Sequence, residues 1–196
     1  DGNRHPPGTP GELRVRRTGP NPRLGLLEEY FRDPATTAEV WQDGWFHTGD
    51  ILVEEPAGLV FVDRKKHMIR RSGQNISAAE IEATLRTHAA VREIAVIPIP
   101  DDLRDEEVFA CIILEDGIAG TDELADELVR FTLERLAYFK VPGWVAFLDE
   151  LPTTYSQKLR KGEIFGDADP TADPRTVDLR QVKQSRGKGP GNNAAK

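Results

Sequence analysis

The sequence is poor in cysteine, in histidine and in long apolar runs, and each shortage excludes a class of protein. One cysteine, Cys111, stands among 196 residues, so no disulfide can form within the chain. Cys111 lies in the apolar run 108–114, where we expect a buried structural thiol. Four scattered histidines and this cysteine do not have the spacing of a metal site. No apolar run approaches the roughly 18 residues that a membrane-spanning helix needs, and the first residues lack the apolar core of a signal peptide.

An excess of positive charge is also absent. Lysine and arginine number 26 against 33 acidic residues, which gives a net charge of −7 and argues against a general nucleic-acid-binding surface. Cysteine usage suits a reducing compartment, and we expect a cytoplasmic location. A hydrophobic fraction of 38% is enough for one medium domain or two small ones. The chain opens at Asp1 in what reads as the middle of a loop, as expected for a piece of a longer protein.

The pattern along the chain predicts two folded parts of mixed α/β (α+β) class. Residues 1–63 are β-rich: Leu13 and Val15 alternate with arginines, and Asp43-Gly44 is typical of a hairpin turn. Residues 64–166 alternate between helical and strand patterns, as in a small α/β domain. Residues 167–196 have few apolar residues and end in a basic, glycine-rich stretch, which predicts a disordered tail.

Two helices in the second part have clear start signals. Ser77 and Glu80 form the S-x-x-E pattern of a helix start, and Ile81 and Leu85 follow with helical spacing. Thr121 is placed to cap the longest predicted helix, 121–137, which places several apolar side chains on or near one face. Between these helices the run 108–114 predicts a strand that is apolar on both faces, as in a covered sheet.

A series of short motifs occurs in an order that resembles the adenylate-forming (AMP-dependent) acyl-CoA synthetases. They are Gly11-Glu12-Leu13-Arg14-Val15-Arg16, Asp43-Gly44-Trp45-Phe46-His47-Thr48-Gly49-Asp50, Asp63-Arg64-Lys65-Lys66-His67-Met68-Ile69, Ser72-Gly73-Gln74-Asn75-Ile76, Tyr138-Phe139-Lys140-Val141-Pro142, and Leu151-Pro152 leading to Ser156-Gln157-Lys158. Any one motif alone is weak, whereas their order over residues 8–166 is specific. The chain is similar to the C-terminal portion of such an enzyme. The resemblance implies that 1–63 ends a large ATP-binding domain and that 64–166 is the mobile AMP-binding lid domain.

The resemblance implies a ligase that activates a carboxylic acid with ATP to an acyl-adenylate and then transfers the acyl group to coenzyme A. ATP, coenzyme A and Mg²⁺ are the implied cofactors, bound mainly by an N-terminal domain that these residues do not include. The family's phosphate-binding loop and acyl pocket are also outside them, so we expect the isolated chain to be inactive. A separate N-terminal chain is a candidate partner. Fatty acids, aryl acids and carnitine-type acids all stay open as substrates.

In the first part, the resemblance assigns the ATP ribose to Asp50 and Arg64. A carboxylate suits ribose hydroxyls because it accepts two hydrogen bonds and donates none. The alternative without a ligand is that Asp50 is an ordinary turn aspartate and that Arg64 is a solvated surface arginine. The family's usual glycine before the arginine is replaced by Asp63. Lys66 falls at the hinge position, where a solvated charged side chain tolerates the φ/ψ changes of two states.

In the second part, the resemblance assigns the coenzyme A side to the loop of Ser72, Gly73, Gln74 and Asn75. Glycine would let the backbone approach pantetheine closely, although a plain strand-to-helix connection is the competing interpretation. Lys158 is the predicted catalytic residue, because a mobile ammonium suits charge developing on the carboxylate and the α-phosphate. Gln157 stands where the family usually has glycine, and the following cations leave open that Lys158 is simply solvated.

Two other functions compete with the CoA ligase. One is a non-catalytic interaction module that keeps the lid fold without the chemistry. The other is the tail of a peptide-synthetase adenylation domain, although Ser-Gln-Lys and Ile-Arg-Arg-Ser-Gly-Gln-Asn are closer to the acyl-CoA ligases. Retention of Asp50, Arg64 and Lys158 together favours the ligase.

Overall fold

The computed structural model describes residues 4–187, and these form two compact units that divide after Lys66. The sequence placed this division three residues earlier, after residue 63. The mixed α/β class is confirmed, with a sheet in each unit and four α-helices among residues 4–187. Within the described residues, no helix is both long enough and apolar enough to cross a bilayer.

The first unit is built on a small antiparallel sheet. Its strands are β1 (Gly11–Val15), β2 (Trp41–Gln42), β3 (Trp45–Glu55) and β4 (Gly58–Arg64), and β3 pairs with the other three. The turn between β2 and β3 is the predicted Asp43-Gly44, where both residues have positive φ, 51° and 74°. That conformation is the one a two-residue hairpin requires. Helix α1 (Pro34–Val40) starts at Asp33, whose carboxylate accepts the Thr36 N–H.

The second unit is organised around a strand that is buried on both faces, β8 (Asp105–Leu114). The long strand β7 (Val91–Asp101) pairs antiparallel with one edge of β8. The opposite edge is shared by β9 (Trp144–Phe147), which runs parallel, and by β5 (Met68–Arg71), which meets β8 at Asp105. β6 (Gln74–Ser77) pairs with β5, and β10 (Thr176–Asp178) pairs with β9.

Two apolar clusters cover the two faces of this sheet. Val108, Ala110 and Ile112 belong to the cluster that includes residues of α2 (Ala78–Leu85) and α3 (Asp122–Leu133). Their neighbours Phe109, Cys111 and Ile113 belong to the other cluster, which packs against the segment 148–165. The prediction of a strand apolar on both faces is therefore confirmed, because successive side chains of a strand point to opposite faces.

Both predicted helix caps are present, although the longer of the two helices ends earlier than predicted. The Ser77 hydroxyl accepts the Glu80 N–H at the start of α2, and the Thr121 hydroxyl accepts the Leu124 N–H at the start of α3. α3 ends at Leu133 rather than residue 137, and a three-ten helix, Tyr138–Lys140, follows. The Glu80 carboxylate receives two hydrogen bonds of 2.6 Å from Lys140, which ties this three-ten helix to α2.

The prediction of a disordered tail from residue 167 does not describe residues 167–187. This segment forms a three-ten helix, Pro170–Ala172, then β10 and helix α4 (Arg180–Gly187). Leu179 and Lys183 are buried, so the segment completes the second unit. The prediction relied on the low apolar content of the segment, but Leu179, Val177 and Val182 pack against the core, and strand pairing and the buried Lys183 add to them. Residues 188–196, the rest of the predicted tail, lie outside the described residues.

Candidate functional site

Asp50 and Arg64, the two predicted ribose contacts, lie side by side on neighbouring strands of the first unit. They are paired in the register of β3 and β4, and Arg64 Nε lies 2.6 Å from Asp50 Oδ1. The Arg64 side chain is about half exposed, while Asp50 is mostly covered. Asp50 Oδ1 itself is buried, and its contact with Arg64 is an ion pair that lacks hydrogen-bond geometry. A ligand hydroxyl could reach this carboxylate only through the exposed part of the Asp50 side chain, 28% of its surface.

The position of Asp50 is fixed by the two residues before it. Gly49 has φ of 71°, a conformation that glycine adopts without the steric cost of a Cβ. The Thr48 hydroxyl donates to the Leu13 carbonyl at 2.8 Å and accepts the Asp50 N–H at 3.1 Å. The strand β3 is therefore irregular at Gly49, and the irregularity is stabilised by a threonine that bridges β1 and β3.

A charged cluster beside this pair was not assigned a role from the sequence. Glu12 Oε2 lies 3.1 Å from His47 Nδ1 and 3.0 Å from Lys65 Nζ. Burial raises the pKa of the Glu12 carboxyl, but the hydrogen bonds from Lys65 and His47 outweigh it and hold the pKa below its usual range. Glu12 and His47 belong to motifs recognised in the sequence, but only the register of β1 on β3 shows that they meet.

Asp63, which replaces the family's usual glycine, fits this backbone without strain. It does not have positive φ, and its side chain is buried. Its Oδ1 accepts the N–H of Arg64 at 2.7 Å, so the substitution holds the residue next to the predicted ribose contact. Lys66 is exposed within the short three-ten helix Lys65–His67 and is the last residue of the first unit.

The predicted CoA-side loop is a tight hairpin in the second unit. Ser72 and Gly73 both have positive φ, 49° and 77°, and form the two-residue turn between β5 and β6. The Ser72 N–H donates to the Arg104 carbonyl at 2.9 Å. Gln74 and Asn75 are not loop residues but the first residues of β6, paired with β5. All four residues are exposed, as a ligand-facing turn requires.

Lys158 is held at the end of a tight, exposed loop of the second unit. Thr153 and Leu159 form an isolated strand bridge. Inside it, the Thr154 N–H donates to the Lys158 carbonyl at 2.7 Å, and the Lys158 N–H donates to the Thr154 hydroxyl at 3.0 Å. Gln157 has φ of 63°, which explains why glycine is usual at this position. The Lys158 side chain is exposed and is not part of the interior of the unit.

The other cations of this loop have carboxylate partners, and this separates Lys158 from them. Arg160 forms an ion pair with Glu163. Lys161 Nζ lies 2.6 Å from Glu82 Oε1, and the same oxygen accepts the Val96 N–H at 2.7 Å. No ion pair to Lys158 is present among residues 4–187. Its ammonium is therefore available for an anionic ligand.

The structure places the predicted site residues in two groups. Asp50, Arg64 and Lys66 belong to the first unit, whereas the CoA-side turn and Lys158 belong to the second. In the described part of the chain there is no group of three or more side chains suited to hold a metal ion.

Comparisons with known proteins find chains similar to this one. Residues 80–158 match the model of the AMP-binding enzyme C-terminal domain, a match that ends at Lys158. A crotonobetaine/carnitine–CoA ligase of Escherichia coli is 37% identical over 156 residues, which are 79% of this chain and 29% of the ligase. A feruloyl-CoA synthase of Amycolatopsis is 43% identical over 162 residues, which are 81% of this chain and 31% of the synthase.

A solved structure gives the same result. The o-succinylbenzoate–CoA synthetase of Bacillus subtilis, solved with its acyl-adenylate intermediate, superposes with a TM-score of 0.70 and 32% identity. The match covers 86% of this chain and 33% of the synthetase. The chain thus spans about a third of the length of the relatives it matches.

The fold and these comparisons match the C-terminal portion of AMP-binding, adenylate-forming enzymes. Within that class, the chain is similar to the C-terminal portion of the acyl-CoA synthetases and ligases, and the resemblance seen in the sequence is confirmed.

Proposed function

We propose that this chain is the C-terminal part of an ATP-dependent carboxylate–CoA ligase, and that Lys158 serves the adenylate-forming half of its reaction. The observation that carries the proposal is the exposure of Lys158 as a cation without an ion-pair partner in the described residues, beside cations that are paired. An exposed and unpaired ammonium at the end of a hydrogen-bonded turn is free to contact an anionic ligand.

The first unit supplies groups suited to a ribose. The exposed part of the Asp50 carboxylate can accept a hydrogen bond from a ribose hydroxyl, and the half-exposed Arg64, which contacts Asp50, can donate to the second hydroxyl. ATP supplies the adenylyl group when it is bound. Mg²⁺ would be held mainly by groups outside the described residues, since these contain no set of three metal-ligating side chains.

Lys158 would act by placing positive charge where negative charge develops. Attack of a carboxylate on the α-phosphate concentrates charge on the phosphoryl oxygens, and an ammonium beside them stabilises that charge more than the charge of the ground state. The hydrogen bonds of Thr154 to both backbone groups of Lys158 set the direction in which the side chain leaves the loop.

The remaining assignments concern the thioester-forming half. The exposed turn at Ser72 and Gly73 is a place where backbone can approach a pantetheine chain closely. Lys66 is the proposed hinge, and the division of the chain into two units directly after it supports this role. The acid is a carboxylate that these residues do not specify. The relatives named for crotonobetaine or carnitine and for ferulate make a carnitine-type or an aryl acid the first candidates.

The test is a chimera in which this chain of 196 residues replaces the matched C-terminal third of the feruloyl-CoA synthase. Adenylate formation is followed as pyrophosphate release, and thioester formation as the CoA-dependent consumption of supplied feruloyl-adenylate. Lys158→Ala should slow adenylate formation by about 100-fold and leave the thioester step nearly unchanged.

Arg160→Ala is the matched control, because it removes a neighbouring cation that is already paired with Glu163. It should leave both steps within about twofold of the unmodified chimera. Equal rates of adenylate formation for the two variants would refute the role of Lys158 and favour a non-catalytic module. The isolated chain should form no thioester in the same assay.

A further inference from the structure

A buried ionic cluster joins the C-terminal helix to the CoA-side turn, and no role proposed above uses it. Glu107 Oε1 accepts hydrogen bonds from Arg71 Nε at 2.9 Å and from Lys183 Nζ at 2.8 Å. The same oxygen accepts the Val108 N–H at 2.9 Å. The three charged side chains are exposed by 6%, 1% and 1% for Arg71, Glu107 and Lys183. Such burial is rare for charged residues unless they are paired.

The cluster is connected directly to the predicted CoA-side turn. Arg71 is the last residue of β5, and Ser72 follows it as the first residue of the turn. A guanidinium held by a buried carboxylate fixes the backbone from which the turn starts. The next residue, Ser72, donates its N–H to the Arg104 carbonyl. This hydrogen bond also depends on the end of β5 staying in one position.

The other side of the cluster is anchored by the C-terminal segment. Lys183 lies on α4, and the start of that helix is tied to Gly143 by the hydrogen bond from the Leu179 N–H to the Gly143 carbonyl, 2.9 Å. Glu107 packs so closely on Gly143 that a Cβ there would lie 2.7 Å from Glu107 Cγ. Glu107 therefore has little freedom to move, and Lys183 limits the rotation of its carboxylate.

The same two cations also share one aromatic ring. Arg71 Cζ lies 5.8 Å and Lys183 Nζ 5.6 Å from the centroid of the Tyr138 ring. Tyr138 belongs to the Tyr-Phe-Lys-Val-Pro motif, so a motif of the lid, the turn and α4 meet at one point.

We propose that Lys183 is a positioning residue for the CoA-side turn, acting through Glu107 and Arg71. The inference rests on the proposed function, because the turn matters to the thioester step only if the chain belongs to a CoA ligase. In this proposal, α4 is the element that keeps the start of the CoA-side turn in one position.

The decisive variant is Lys183→Met, because the cluster holds two cations and one carboxylate. Removing Lys183 leaves Arg71 and Glu107 as a matched pair, whereas Glu107→Gln would leave two cations without a counter-charge. We therefore expect the methionine variant to fold. Gln184→Met is the control, since it introduces the same side chain at an exposed position of the same helix.

The measurement is amide hydrogen exchange of the chain of 196 residues, followed by NMR. Lys183→Met should lower protection of the Ser72 amide by about tenfold and leave the Ile112 amide of the central strand unchanged. Gln184→Met should change neither amide. An unchanged Ser72 amide, or an equal loss of protection at both amides, would overturn the positioning role. If Lys183→Met does not fold, Lys183→Gln, which keeps a donor without the charge, is judged by the same criteria.

A second measurement separates this inference from the proposed function. In the chimera, Lys183→Met should slow thioester formation by about tenfold and leave adenylate formation within twofold. Faster exchange at Ser72 with an unchanged thioester step would overturn the role of the turn in that step. A slow thioester step with unchanged exchange at Ser72 would overturn positioning by Lys183 and leave the proposed function intact.

Discussion

Gln157 occupies a backbone conformation that a residue with a Cβ adopts at a cost. Its φ of 63° lies in the left-handed region, where non-glycine residues lose about 1 kcal/mol relative to their usual conformations. Gln157→Gly should therefore raise the free energy of unfolding by about 0.5 kcal/mol, since part of the relief is offset by the larger freedom of glycine in the unfolded chain. Urea unfolding measures this difference.

Ser156→Gly is the matched control for this prediction. Ser156 lies in the same exposed loop but does not have positive φ, so glycine there gains nothing and should lower stability slightly. Equal effects at the two positions would show that the conformation of Gln157 is not strained.

We predict that the thiol of Cys111 does not react with thiol reagents while the chain is folded. It is fully buried on β8, and burial raises the pKa of its thiol to about 12. Because the thiolate is the reactive form, a thiol reagent at pH 8 should label the chain only at the rate of unfolding. The measurement compares labelling in buffer with labelling in 6 M urea, where it should be fast. Fast labelling of the native chain would contradict the two-sided packing of β8.

At the scale of elements, the helix caps offer a direct test. Thr121 accepts the Leu124 N–H at 3.2 Å and begins the longest helix. Thr121→Ala should lower the free energy of unfolding by about 1 kcal/mol because one N–H at the helix start loses its acceptor. Thr121→Ser keeps the hydroxyl and should cost much less in the same denaturation experiment. A similar loss for both variants would mean that the methyl group of Thr121, and not its cap, stabilises α3.

An element could be predicted from the sequence when the residues that stabilise it lie close together in the chain. Four predicted features depend on neighbours in the sequence, and all four are present. They are the Asp43-Gly44 turn, the caps at Ser77 and Thr121, and the strand around Cys111 that is apolar on both faces. The extent of β7 and the pairing of β9 with β8 depend on partners far along the chain, and single-sequence patterns do not contain them. α4 was missed for the same reason, since its anchor is a buried lysine bonded to Glu107, 76 residues away.

The same distinction applies to the candidate site, where residue types could be predicted from the sequence and contacts between distant residues could not. The types and order of Asp50, Arg64 and Lys158 were evident from motifs. The contacts of Glu12 with His47 and Lys65 depend on the register of β1 against β3, and the isolation of Lys158 depends on which neighbouring cations find carboxylates. Geometry of this kind is set by tertiary packing, which overrides local preference.

At the scale of the whole second unit, stability should depend on pH through Lys183. Burial, together with the charges of Arg71 and Arg104, outweighs the attraction of Glu107 and lowers the pKa of Lys183 to about 8, against an ordinary value of 10.5. Between these two values the unfolded chain binds more protons than the folded chain. The contribution of Lys183 to the free energy of unfolding therefore rises with pH from about 8 to 10.5, by on the order of 3 kcal/mol.

This prediction is isolated by comparing the chain with its Lys183→Met variant in urea at pH 7, 8, 9 and 10. The titratable groups far from Lys183 are common to both chains and keep the same surroundings, so their contributions cancel in the difference. The chain should gain stability relative to the variant as pH rises above 8, because the buried ammonium loses its charge while methionine has none to lose. Parallel curves over this range would show that Lys183 titrates in the folded chain as it does in the unfolded one, and that its burial carries no electrostatic cost.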